Sequence, residues 1–95
     1  MIDSKTQTQM CGMELTVQKI ERFTSSGAVA FENSERKLPD TAPLDFDQSG
    51  WIDLSAGAYL VTFNEIVNIP GDVAALARAR STLLRCGASL ETALW

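Results

Sequence analysis

The sequence contains no histidine. That absence removes Ser-His-Asp and Cys-His catalysis and every histidine-containing zinc site. Cysteine is scarce as well: Cys11 and Cys86 stand far apart and form no Cys-x-x-Cys motif, so reduced thiols are expected and no cysteine metal or redox site is encoded. Basic residues are in the minority, 8 Lys+Arg against 12 Asp+Glu for a formal net charge of -4. A protein that coats nucleic acid needs a basic surface to release counterions, so this balance speaks against one. No stretch approaches the roughly 20 apolar residues of a membrane span, and the N-terminal region lacks the apolar core of a secretory signal. The expectation is a cytoplasmic protein with neither nucleic acid nor membrane as a partner.

What is present fits one small domain over residues 1–95, with 45% apolar and 21% charged residues. The charge is unevenly placed. Most acidic residues precede position 70, whereas Arg78, Arg80 and Arg85 cluster after it. Residues 1 to 9, "MIDSKTQTQ", are polar and unpatterned and predict an extended or partly ordered arm. From Met13, the apolar Met13, Leu15 and Val17 alternate with Glu14, Thr16 and Gln18, the period of a half-buried strand, although Ile20 and Phe23 break it.

"SSGAVAF" predicts a turn at Ser25 to Gly27 and a short strand carrying Val29 and Phe31 on one face. The next nineteen residues, "ENSERKLPDTAPLDFDQSG", read as a long surface loop, a feature more often functional than idle in a small domain. In "WIDLSAGAYLVTFNEIVNIP", Tyr59, Val61, Phe63 and Val67 share a face between Gly57 and Pro70-Gly71, which predicts a strand of about ten residues with "WIDL" as a shorter neighbour. Glu65 interrupts that face and reads as a carboxylate paired with an arginine. Short strands, turn signals and one helix predict an all-β sandwich or barrel.

The stretch "RARSTLLRCG", residues 78 to 87, carries the chemistry. A single helix from Asp72 to Gly87 would place Arg80 in the middle of its apolar stripe. A strand over residues 73 to 79 followed by a helix capped by Ser81, anchored by Leu83 and Leu84 and ended by Gly87, gives every residue a place. An arginine and two hydroxyls at a helix start, beside unpaired backbone N–H groups, suit an anion, best a phosphate.

This segment, with "AGAYLVTFNEIVNIPGDVAAL" before it, resembles the phosphate-binding region of the dUTPase and dCTP deaminase superfamily, where an Arg-Ser-Ser/Thr-Leu motif follows a strand and a proline turn. "MELTV" resembles that family's Asp-Leu motif, with Glu14 where aspartate is usual, and "NSERKLP" resembles the long loop of archaeal-type dUTPases. The resemblance runs from Met10 onward and ends C-terminally short of the family domain. It implies a distorted jelly roll (β-clip) with one short helix near residues 81 to 86, incomplete at its C-terminus, and a homotrimer with sites at subunit interfaces.

It further implies that Arg80, Ser81 and Thr82 bind the substrate phosphates, with Arg85 matching a second arginine of the deaminase-like branch. Glu14 matches the acidic residue that meets a hydrated Mg2+ through water. The implied activity is dUTP diphosphatase, converting dUTP and water to dUMP and diphosphate. Two alternatives stay open: a zinc-independent dCTP deaminase, or a non-catalytic, truncated nucleotide-binding or oligomerising relative. The water-activating carboxylate of the family lies in a later motif and is expected beyond Trp95.

Overall fold

A computed structural model of the chain describes residues 2–9 and 12–95. A four-residue helix, α1 (Ser4–Gln7), opens it and leads into a small hairpin of β1 (Thr8–Gln9) and β2 (Gly12–Met13). The main sheet has three antiparallel strands in the order β4-β3-β5, with β3 (Val17–Phe23) central, β4 (Thr41–Pro43) on one side and β5 (Tyr59–Phe63) on the other. A five-residue helix, α2 (Ser81–Arg85), completes the regular structure. The chain is therefore β-rich and antiparallel with only short helices, as its patterning predicts.

The broken period of the first strand has a physical origin. Val17 pairs with Phe63, Lys19 with Thr62 and Ile20 with Val61, so the register shifts between Val17 and Lys19. This β-bulge inserts one residue and flips the phase of alternation, which returns Ile20 to the face of Val17 although the two are three apart in sequence. Ile20 is the one buried apolar side chain among the described residues. Upstream, the alternation at Met13 to Val17 belongs to β2 and the start of β3, with a link at Glu14 to Thr16 that lies outside both strands.

Strand β5 has five residues rather than about ten. Asn64 and Glu65 end it. The Asn64 amide N–H donates to the Thr16 carbonyl at 2.9 Å, and its side chain donates to Thr16 Oγ1 at 3.0 Å and to the Val17 carbonyl at 3.2 Å. These side-chain bonds compete with continuation of the ladder, so Val67 lies outside the strand.

Three other expected strands are absent. "WIDL" is irregular: the Asp47 carboxylate accepts from the amides of Ser49 and Trp51 at 2.9 and 2.8 Å, curling that segment into a turn. The Val29 and Phe31 segment is reduced to one bridge, Ala28 to Lys37, and both side chains are almost fully exposed. Over residues 73 to 79 no strand forms: Ala75 exchanges two main-chain hydrogen bonds with Trp95, and the Val73 N–H donates to the Pro70 carbonyl in a turn. The charged loop, by contrast, has structure of its own, a 3-10 turn (Asn33–Glu35) and strand β4.

The accessible surface is 8300 Å², where a folded monomer of this mass exposes about 5,400 Å². The radius of gyration is 15.7 Å against about 12 Å for a compact domain of this length. Apolar side chains including Phe31, Leu38, Trp51 and Leu76 face outward. Among the described residues, no helix is long and apolar enough to cross a membrane.

Candidate functional site

Helix α2 begins where the hydroxyl pair predicts, but its N-cap is Arg80 rather than Ser81. Arg80 takes an extended backbone (φ -65°, ψ 151°), and its carbonyl accepts from Leu83 and Leu84 at 3.0 and 3.2 Å. No side chain caps the helix. The Ser81 and Thr82 hydroxyls consequently sit inside the first turn, exposed. Gly87 ends the helix at φ +85°, with Ala88 N–H bonded to the Leu83 carbonyl and Gly87 N–H to that of Leu84. This is a Schellman turn, for which glycine is favoured because left-handed backbone costs it nothing. A helix this short has little dipole of its own. The positive charge of the site comes from arginine side chains.

Arg80 projects away from the helix and meets Glu14: guanidinium Nε lies 3.3 Å from Glu14 Oε1. The structure thus brings together two of the residues that sequence singled out, 66 positions apart. Arg80 keeps 75% of its side chain exposed while Glu14 keeps 30%, so the carboxylate is the anchored partner and the guanidinium the presented one. Glu14 meets the guanidinium at Nε, and the terminal nitrogens of an arginine are the groups that grip phosphate oxygens in bidentate fashion. Arg85 occupies the last turn of α2, exposed and without an ion pair among the described residues.

Glu14 is anchored by a residue that sequence reasoning passed over. The predicted extended arm is instead helix α1, capped by the Asp3 carboxylate, which accepts from the Lys5 amide at 3.1 Å. This geometry delivers Gln7, only 4% exposed, to the backbone of Glu14. Gln7 carbonyl accepts from Glu14 N–H, and Gln7 Nε2 donates to the Glu14 carbonyl at 2.9 Å. The same Nε2 donates to Glu65 Oε1 at 2.6 Å, while Gln7 Oε1 accepts from the Asp3 amide at 2.6 Å.

Glu65 is therefore not the arginine partner its sequence context predicts. Its carboxylate accepts from the Thr16 amide at 3.0 Å through both oxygens and from Thr16 Oγ1 at 2.7 Å, as well as from Gln7. Partial desolvation pulls its pKa up, but hydrogen bonds from the Thr16 amide and hydroxyl, from its own backbone and from Gln7 together hold it below the ordinary glutamate value. Asp3 is likewise held low, by hydrogen bonds from Thr6 and from the Lys5 amide.

No group of three or more Cys, Asp or Glu that would cage a metal occurs among the described residues. A lone carboxylate such as Glu14 still fits Mg2+, which is commonly held by substrate phosphates, waters and only one or two carboxylates. Cys86 is exposed with a free thiol, and Cys11 lies outside the described residues.

Comparison with known proteins places this geometry in context. The family model described as "dCTP deaminase-like" matches residues 2–95. A protein of Methanosarcina mazei named "Probable deoxyuridine 5'-triphosphate nucleotidohydrolase" is 56% identical over 94 residues, covering 99% of this chain and 55% of its own. One of the same name from Archaeoglobus fulgidus is 40% identical over 94 residues, again 99% of this chain and 55% of its own. The "Deoxyuridine 5'-triphosphate nucleotidohydrolase" of Methanocaldococcus jannaschii is 38% identical over 89 residues, 93% of this chain and 57% of its own. The chain thus spans about half the length of these relatives. No solved structure matches it. With a match from residue 2 to residue 95, and identities of 38% to 56% to proteins of one name, the chain belongs to the dCTP deaminase-like family.

Proposed function

We propose that this chain carries the triphosphate grip of a dUTP nucleotidohydrolase, an enzyme that splits dUTP with water into dUMP and diphosphate. The observation that carries this reading is the identity, over 99% of the chain, to proteins named for that activity. The exposed guanidinium of Arg80 beside the Ser81 and Thr82 hydroxyls supplies a chemically matching surface. A second reading, a zinc-independent dCTP deaminase, is favoured by the description of the matching family. Residues 1–95 are taken as one unit of a larger β-clip or jelly-roll assembly, a cytoplasmic homotrimer. The outward-facing apolar side chains provide surface for its subunit contacts.

Breaking the bond between the α- and β-phosphates places negative charge on the departing diphosphate. Arg80 neutralises that charge through its terminal nitrogens, the Ser81 and Thr82 hydroxyls donate to phosphate oxygens, and Arg85 adds a second cation from the end of α2. Glu14 holds Arg80 and would hold Mg2+ through water. Mg2+ bound with the triphosphate supplies further charge neutralisation. The carboxylate that orients the attacking water is assigned to the part of the relatives' length that this chain does not span.

Product analysis with Mg2+ and either dUTP or dCTP tests the reading. Diphosphate from dUTP supports the hydrolase, and ammonia from dCTP replaces it with the deaminase. Binding of dUTP without turnover leaves the grip intact and the water-activating half elsewhere. A chain that binds neither nucleotide would end the proposal.

A further inference from the structure

The hydrogen bonds around Gln7, with one ion pair beyond them, form a connected path from the end of β5 through the Glu14 main chain to Arg80. Glu65 holds Gln7 Nε2, Gln7 brackets both the N–H and the carbonyl of Glu14, and the Glu14 carboxylate meets Arg80 Nε. Every polar function of the Gln7 side chain is used: its two N–H donors go to Glu65 and to Glu14, and its oxygen accepts from Asp3. A buried amide satisfied on all sides has one orientation, so the backbone it clamps has little freedom either. Glu14 needs such a clamp because it lies in the link between β2 and β3, outside both strands, where its main-chain partner is Gln7.

We propose that Gln7 and Glu65 are positioning residues for the phosphate site, acting through Glu14 to set the direction in which Arg80 presents its terminal nitrogens. The proposal rests on the reading of Arg80 as a phosphate ligand and extends it to residues that touch no substrate. Glu65 supplies a fixed acceptor, Gln7 transmits it across the turn from α1, and Thr16 completes the carboxylate's shell from the link's far end. Arg80 alone, three-quarters exposed, would sample many rotamers. Pairing Nε to a carboxylate whose main chain is clamped on both sides removes part of that freedom before the anion arrives, and a pre-ordered side chain loses less entropy on binding.

The test uses inorganic diphosphate as probe, titrated in the presence of EDTA so that no metal contributes, together with the 15N resonance of Arg80 Nε in the free protein. In Gln7→Met, which keeps length but loses the amide, we expect the Arg80 Nε resonance to move toward that of an unpaired arginine. Diphosphate binding should weaken roughly three- to tenfold, and in an Arg80→Ala background the same substitution should have no further effect. A Gln7→Met protein whose Arg80 resonance is unmoved, or which loses the same factor with or without Arg80, would overturn the proposal.

Glu65→Met, which keeps the length of the side chain and removes both acceptor oxygens, carries the same readouts should Gln7→Met fail to fold. Thr16→Ser retains the hydroxyl and is expected to keep wild-type affinity, whereas Thr16→Val, which loses the hydroxyl donor to Glu65, is expected to shift the Arg80 resonance in the same direction as Glu65→Met. If wild type binds no diphosphate and Arg80→Ala behaves identically, the phosphate reading is what fails. The Arg80 resonance in the Gln7 and Glu65 variants then still decides whether the path to the guanidinium exists.

Discussion

Arg80 is where sequence and structure meet most directly. A guanidinium in the middle of an apolar helical stripe is incompatible with one long helix, and the chain resolves the conflict by starting α2 after Arg80. Arg80→Ala is expected to weaken triphosphate binding by several-fold to a hundredfold, since a charge-assisted contact contributes about 1.5–3 kcal/mol. The fold should survive, because an exposed ion pair contributes only about 0–1 kcal/mol to stability; calorimetric titration with dUTP and a thermal melt check both. Glu65 makes a prediction of opposite character. Its pKa is held below the usual value, so its contribution is complete above the unfolded-state pKa of about 4.3 and is lost as pH falls through the lower, folded-state value. Acidification below about pH 4 should therefore release Gln7 before the main sheet melts, seen as loss of the Gln7 side-chain amide signals in NMR while β3 and β5 amides persist. Gln7 itself was not legible. It sits in a polar nine-residue arm with no periodicity, and its importance arises from contacts to positions 14 and 65 that only the fold creates. Glu65 was legible as unusual but its partner was not, because a lone carboxylate in a strand pattern carries no information about which donor will reach it.

The elements differ in how much of them the local sequence determines. Helix α2 is readable in its position and its Gly87 stop, since paired leucines and Gly87 act within one or two turns, but its cap is not: Arg80 and not Ser81 takes that place, with no side-chain bond. Gly87→Ala should cost about 1 kcal/mol, because a β-carbon at φ +85° crowds the backbone, and a urea melt alongside amide exchange in α2 measures it. The first strand was readable as a strand but not as two pieces. A bulge is a relation between partners, and the sequence of β3 alone records it only as a broken period at Ile20. The apolar run of β5 continues to Val67, whereas the length of the strand is set by Asn64 and Glu65 reaching back to Thr16 and Val17, which the run itself does not encode. Gly27 marks a further constraint in the loop between β3 and β4. A β-carbon there would lie 2.9 Å from the Lys37 carbonyl oxygen and 3.0 Å from Pro39 Cδ, so Gly27→Ala should open the Ala28 to Lys37 bridge. Faster hydrogen exchange at those two amides is the expected signature.

On the scale of the whole molecule, the chain leaves more apolar surface in water than a folded monomer of its mass usually tolerates. The fold class was legible from alternation and turn spacing, but this openness was not. Composition reports how much apolar material a chain holds and is silent on what covers it. If copies cover it, as the trimer proposal holds, the melting temperature should rise with protein concentration by mass action, and sedimentation equilibrium should return a mass above that of one chain. Surface left wet in the folded state is surface whose hydration does not change on melting. An isolated copy should therefore unfold with a heat-capacity step well below the usual 12–15 cal/mol/K per residue or so. Its stability would vary almost linearly with temperature, lacking the curvature that makes most proteins weaken again in the cold.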